Sequence, residues 1–151
     1  ARLSTMIDLS ARHGVSLGLE ARLAGLATDR QALAGALRLS GREDKRIEAI
    51  AHWGDQLAAR MDEATVRLVV VRVGNEVASA ALLLAAAEQG RDATPDLVMV
   101  ARDFHPPQSP VTAARLMAEG YAPGPALGAE LRRREAAWIA AGCPAEFKDG
   151  R

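Results

Sequence analysis

The stretch from Asn75 to Gln89 constrains the fold more than any other part of the chain. It is rich in Ala and Leu and apolar nearly all the way round. A helix without a polar face is stable in water only when other elements cover its sides. The stretch therefore predicts a central buried helix, closed by Gly90, with the remaining segments wrapped around it. The core has to be aliphatic, because aromatic residues make up only 3% of a chain that is 49% hydrophobic. Ala and Leu are also strong helix formers, so composition and pattern agree. The longest apolar run, Val77 to Ala87 broken only by Ser79, is shorter than the roughly 20 residues a membrane span needs.

The flanking segments carry helix signals in series. Leu3, Met6, Ile7 and Leu9 precede a Gly14 stop, and Leu17 to Leu26 reads as a second short helix. Asp29 is placed to cap a third, with Leu33, Ala36 and Leu37 on one face. Ser40 and Glu43 have capping-box spacing ahead of a stripe of Ile47, Ile50, Leu57 and Met61. Asp62 starts the next segment. Its Val66 to Val73 run has strand propensity, but no strand partner is evident, so it is assigned to helix. Thr94, Pro95 and Asp96 open another helix, which runs to about Phe104.

Pro106, Pro107 and Pro110 make the Pro-dense linker of the chain. Beyond it, Thr112 caps a short helix that Gly120 ends, and Pro123 to Gly128 turns into a last helix closed by Gly142 and Pro144. The expected fold is all-α: an irregular helical bundle over 1–104, followed by a small Pro-linked helical tail over 105–151.

Little in the sequence points to chemistry. His13, His52 and His105 are far apart, and none has a metal-ligand partner at helical spacing. His52 and Asp55 read as a surface i, i+3 pair. The lone Cys143 has no His or Lys beside it to activate it, and no intrachain disulfide can form. No phosphate loop or nucleophile elbow is present. Neither a catalytic residue nor a metal ligand is assigned. One cysteine, no visible leader and no membrane span lead to the expectation of a cytoplasmic protein. The chain opens on Ala1 rather than Met, which fits either processing or a cut from a longer protein, and the cut is the expectation adopted.

The formal net charge of zero argues against a tight, self-sufficient nucleic-acid binder, yet permits one basic face offset by an acidic one. Two basic clusters qualify. Arg38, Arg42, Lys45 and Arg46 surround the Ser40 cap, and Arg132, Arg133 and Arg134 follow the proline turn. On a helical wheel Arg134 shares the stripe of Leu127, Leu131 and Trp138, so it is expected to lie over the core and pair with a carboxylate. Arg132 and Arg133 turn away from that stripe, toward where a phosphate can reach them. The RNA-contact candidates are Arg132, Arg133, Arg38, Arg42, Lys45 and Arg115.

From Pro110 onward the chain resembles bacterial class II tRNA nucleotidyltransferases, the CCA-adding enzymes and related poly(A) polymerases. The resemblance is carried by Pro110, Val111 and Leu116, then Gly120, Pro123, Gly124, Pro125, Gly128, Leu131, Glu135, Trp138 and Ile139. Arg38, Leu39, Ser40 and Glu43 resemble the family's Arg-Leu-Ser-Asn-x-Glu helix opening. Two departures stand out: Ala113, Ala114 and Arg115 replace a Gly-x-Asp, and Gly41 replaces an Asn.

The resemblance implies a non-catalytic body and tail that hold the acceptor and T-arm side of a tRNA. A separate N-terminal head would bind ATP or CTP with Mg2+ and perform the transfer. This chain has no cofactor of its own on that reading. It also has no Asp-x-Asp pair to hold two metal ions, so it is expected to be inactive alone. Pro123 and Pro125 stiffen the turn, while Gly124 and Gly128 are expected to let another backbone approach. The competing readings are a poly(A)-adding parent, a helix-hairpin-helix DNA-binding module and a purely structural helical domain. The oligomeric state is left open.

Overall fold

A computed structural model describes residues 2–26 and 30–148. Among them the chain is helical and contains no strand. Two compact units form, Ala1–Phe104 and His105–Arg151. The first carries α1 (Arg2–His13), α2 (Leu19–Leu26), α3 (Arg30–Leu37), α4 (Gly41–Ala59), α5 (Glu63–Glu88) and α6 (Pro95–Asp103). The second carries α7 (Ala113–Ala118) and α8 (Pro125–Ala140). The expected Asp29 cap lies outside the described residues.

In the first unit α5 is the centre. From Val77 to Ala86 every residue is buried, and α1, α2, α4 and α6 all pack on this helix. Leu82, Leu83, Val66, Val69 and Leu57 are completely excluded from solvent. Gly54 brings α4 close to α5: a Cβ there would lie 3.0 Å from Leu84. Gly25 does the same for α2 and α1, with a Cβ only 2.7 Å from Met6. By length and composition alone α5 could cross a membrane, but 61% of its apolar window is buried within the protein, as in the core helix of a globular fold.

Val66 to Val73 is helical, and the helix carries on into the Ala/Leu segment through a sharp break at Gly74, at φ 82 and ψ 168. Only glycine adopts this backbone readily. Directly after the break, the Asn75 side-chain amide donates to the carbonyls of Ala101 and Phe104, at 3.0 and 2.9 Å. These belong to the C-terminal end of α6, whose last carbonyls have no partner within the helix.

The helix ends follow local rules. Ser40 and Glu43 form a complete capping box. Asp62 caps α5 through Thr65, and the Thr112 hydroxyl accepts from the Arg115 amide. Thr94 occupies the N-cap of α6 without a side-chain cap bond. Schellman closures end α5, α7 and α8, as in Gly142 N–H to Ile139 O at 2.9 Å and Cys143 N–H to Trp138 O at 3.0 Å.

In the second unit α7 packs on α8, and Leu116, Trp138, Ile139 and Cys143 are buried. The Trp138 indole N–H donates to the Pro144 carbonyl at 2.8 Å. Gly124 sits at φ 149, a backbone that its missing side chain permits, and opens α8 immediately before Pro125. No atom lies within 4 Å of where a Gly124 Cβ would be, and at Gly128 only the Arg132 side chain does, at 3.6 Å. Close backbone approach is therefore not the reason for either glycine within the described residues. Gly124 is needed for its torsion angle.

Candidate nucleic-acid interface

The basic cluster near Ser40 divides into one structural arginine and three outward cations. Arg46 is the structural one. Its guanidinium meets Glu76 at 2.8 Å and lies 3.5 Å from Glu20, tying α4 to α5 and α2. The Glu76 hydrogen bond is the main cause of its raised pKa, followed by attraction to Glu76 and Glu20 working against burial.

Arg42 and Lys45 occupy the same face of α4, three residues apart, and both are exposed. Neither forms an ion pair with a described residue. They stand with Arg46 on one wall of an open groove whose apolar lining includes Ala49, Val73 and Val77. Val73 and Val77 flank the Gly74 break, so the groove lies where α5 bends. Asp44 sits on another face of α4, turned from Arg42 by the helical period, while Glu48 follows Lys45 at the same three-residue spacing.

Two of these cations stand where the backbone does not favour them. Arg42 is in the first turn of α4, against the positive end of the helix dipole, a placement that costs a cation ~0.3–1 kcal/mol. Arg38 has φ 49, just past the end of α3, where glycine is the usual residue. Arg38 is exposed and also lacks an ion pair among the described residues. Positions where a local rule is broken without a compensating contact are where function is expected.

The second cluster behaves differently. Arg134 is only 12% exposed and reaches Glu119 at 2.6 Å and Glu130 at 2.7 Å, with its guanidinium 5.8 Å from the Tyr121 ring. These carboxylates, Glu130 first, raise its pKa. Its expected carboxylate pairing is present in this form.

Arg133 departs from its expected availability. It donates twice to Glu130, at 2.9 and 2.8 Å. Glu130 is held down to a pKa of about 2, by Arg133 first and Arg134 second. Arg132 is exposed, has no ion pair among the described residues, and lays its guanidinium back over Gly128. Arg115 lies 3.7 Å from Glu119 and lines a small pocket with Arg134 and Phe147. Of the six candidates, Arg38, Arg42, Lys45 and Arg132 have no ion pair among the described residues, whereas Arg115 and Arg133 each pair with a carboxylate that Arg134 shares.

Sequence reasoning missed the polar cluster between α1 and α6. His13 Nε2 lies 2.8 Å from Asp92, which Arg12 also contacts. Hydrogen bonds from His13 and then Arg12 hold the Asp92 carboxyl below its usual range. Arg102 donates to the His13 carbonyl at 3.3 Å and to Asp103. His52 meets the edge of Trp53, at a ring separation of 5.2 Å, and no bond to Asp55 is seen. No group of three His, Cys, Asp or Glu residues is placed to hold a metal among the described residues. No protein-family model, curated protein or solved structure matches this chain.

Proposed function

We propose that the chain is the RNA-holding body and tail of a tRNA nucleotidyltransferase, a non-catalytic part that positions the acceptor and T-arm side of tRNA. The 3′ end would then reach a head outside this chain, where ATP or CTP and Mg2+ would be used. The observation that carries the reading is the colinear motif from Pro110 to Ile139. Its residues have definite mechanical jobs here: Gly124 supplies the torsion that opens α8, and Trp138 and Ile139 are 1% exposed. A motif held in place by packing identifies an architecture better than one scattered over a surface.

The exposed cations of α4 supply what such a part needs, charge for phosphates without groups for chemistry. On this reading nucleotide and Mg2+ belong to the head, and no step of transfer is assigned to these residues. CCA addition rather than polyadenylation is the reading we adopt for the parent.

The test is the parent protein. The frame upstream should encode a Gly-Gly-x-Val-Arg-Asp stretch and an Asp-x-Asp pair. The full product should extend a tRNA transcript lacking its 3′ end with CTP and ATP, while residues 1–151 alone should not. An upstream frame without those carboxylates would overturn the assignment. Incorporation of ATP alone in long runs would move it to polyadenylation.

A further inference from the structure

Arg42 and Lys45 project from one face of α4 over a groove with an aliphatic lining, at a bend in α5. The carboxylates that meet this wall among the described residues, Glu76 at 2.8 Å and Glu20 at 3.5 Å, are both taken up by Arg46. An occupant of this groove therefore finds two uncommitted cations and no uncommitted acid in its lining. The lining offers Ala49, Val73 and Val77, which have no side-chain donor or acceptor for reading a base edge. Arg42 also stays in the first helical turn, against the dipole. Helix formation does not ask for a cation there, and no contact within the described protein uses it.

Resting on the tRNA-holding reading, we propose that this groove seats the RNA sugar–phosphate backbone. Arg42 and Lys45 contact phosphates, the aliphatic lining packs against sugar, and Arg46 is the positioning residue that keeps the wall upright. The tail cluster is secondary, because Arg133 and Arg134 already share Glu130. This surface recognises backbone shape and charge, not sequence.

The experiment is a binding titration of residues 1–151 against a labelled tRNA transcript over a salt series. It compares the native chain with Arg42→Glu/Lys45→Glu, the neutral pair Arg42→Gln/Lys45→Gln, and the tail pair Arg132→Glu/Arg133→Glu. The α4 reversal should weaken binding roughly tenfold or more and flatten the log–log salt slope by about two. The neutral pair should flatten the slope similarly with a smaller loss, and the tail pair should lose least. Helical circular dichroism should be unchanged throughout, since these side chains lie outside the core.

Native-like tRNA binding by the α4 reversal would overturn the groove while leaving the tRNA reading standing. So would a tail pair that loses as much as the α4 reversal. Displacement of the tRNA by polyglutamate at equal charge would also overturn it, by pointing to an acidic protein as the occupant. A native chain that binds no tRNA at low salt would remove the tRNA reading and the groove together.

Discussion

A cation in the first turn of a helix faces the dipole's positive end, so removing it should not harm the helix. Arg42→Glu is therefore expected to leave the thermal midpoint of the protein unchanged or slightly raised, gaining on the order of 0.5 kcal/mol at low salt. A circular-dichroism melt checks this, and a clear loss of stability would mean that Arg42 is structural.

Asp62 offers the opposite case. Its carboxylate is lowered from 3.8 to about 2, first by the Thr65 amide, then by the Thr65 hydroxyl and Arg60. A depressed carboxylate stabilises the fold fully above its unfolded pKa and loses that contribution as pH falls through the folded value. The cap of α5 should therefore weaken between about pH 4 and pH 2. In urea titrations over this window, Asp62→Asn, which can still accept the Thr65 hydrogen bonds, should lose less stability than the native protein.

The caps at Ser40, Asp62 and Thr112 could be read from sequence because capping is settled within four residues. His13 against Asp92 could not, because the two are 79 positions apart and meet only through the packing of α1 on α5, just ahead of the loop that carries Asp92. The pairing of Arg133 is a subtler case. The wheel put it outside, correctly, but Glu130 stands one turn earlier and takes it up.

At the scale of elements, α5 shows where periodicity stops being informative. The Ala/Leu segment announced itself as buried, and the valine run before it was legible as helix by elimination. The break between them was hidden, since a glycine inside an apolar pattern reads equally as a tolerated helix residue. Its φ of 82 settles its role. Gly74→Ala should cost about 1–3 kcal/mol even though nothing lies within 4 Å of the added Cβ, because the strain is in the backbone.

Gly35 in α3 provides the control. It also has open space around it, but it has no positive φ, so Gly35→Ala should stabilise the protein by roughly 0.5–1 kcal/mol. Denaturant midpoints of the two variants should move in opposite directions. Equal shifts would contradict the assignment of strain to Gly74. The same bend places Val73 and Val77 beside Arg42 and Lys45, so one backbone irregularity shapes both the core helix and the candidate RNA groove.

For the whole molecule, the balanced charge masks a local imbalance. The 19 basic and 19 acidic residues cancel in sum, but most described cations are spent on carboxylates, as in Arg2–Glu88, Arg46–Glu76 and Arg134–Glu119. What remains on the outward face of α4 is small, which is why composition alone argued against a tight nucleic-acid binder. The core of the first unit is built wholly from residues within 1–104, so that fragment should fold alone with a cooperative melt. A non-cooperative melt would mean that the first unit depends on the second.

The central claim is that this chain holds tRNA by its backbone. It is tested most directly by titrating residues 1–151 with a tRNA transcript and with duplex DNA of matched length, at several salt concentrations. The account predicts weak binding that prefers tRNA and falls with salt at a log–log slope of about −2 to −4. Equal affinity for the duplex DNA, or no binding to tRNA at the lowest salt, would contradict it.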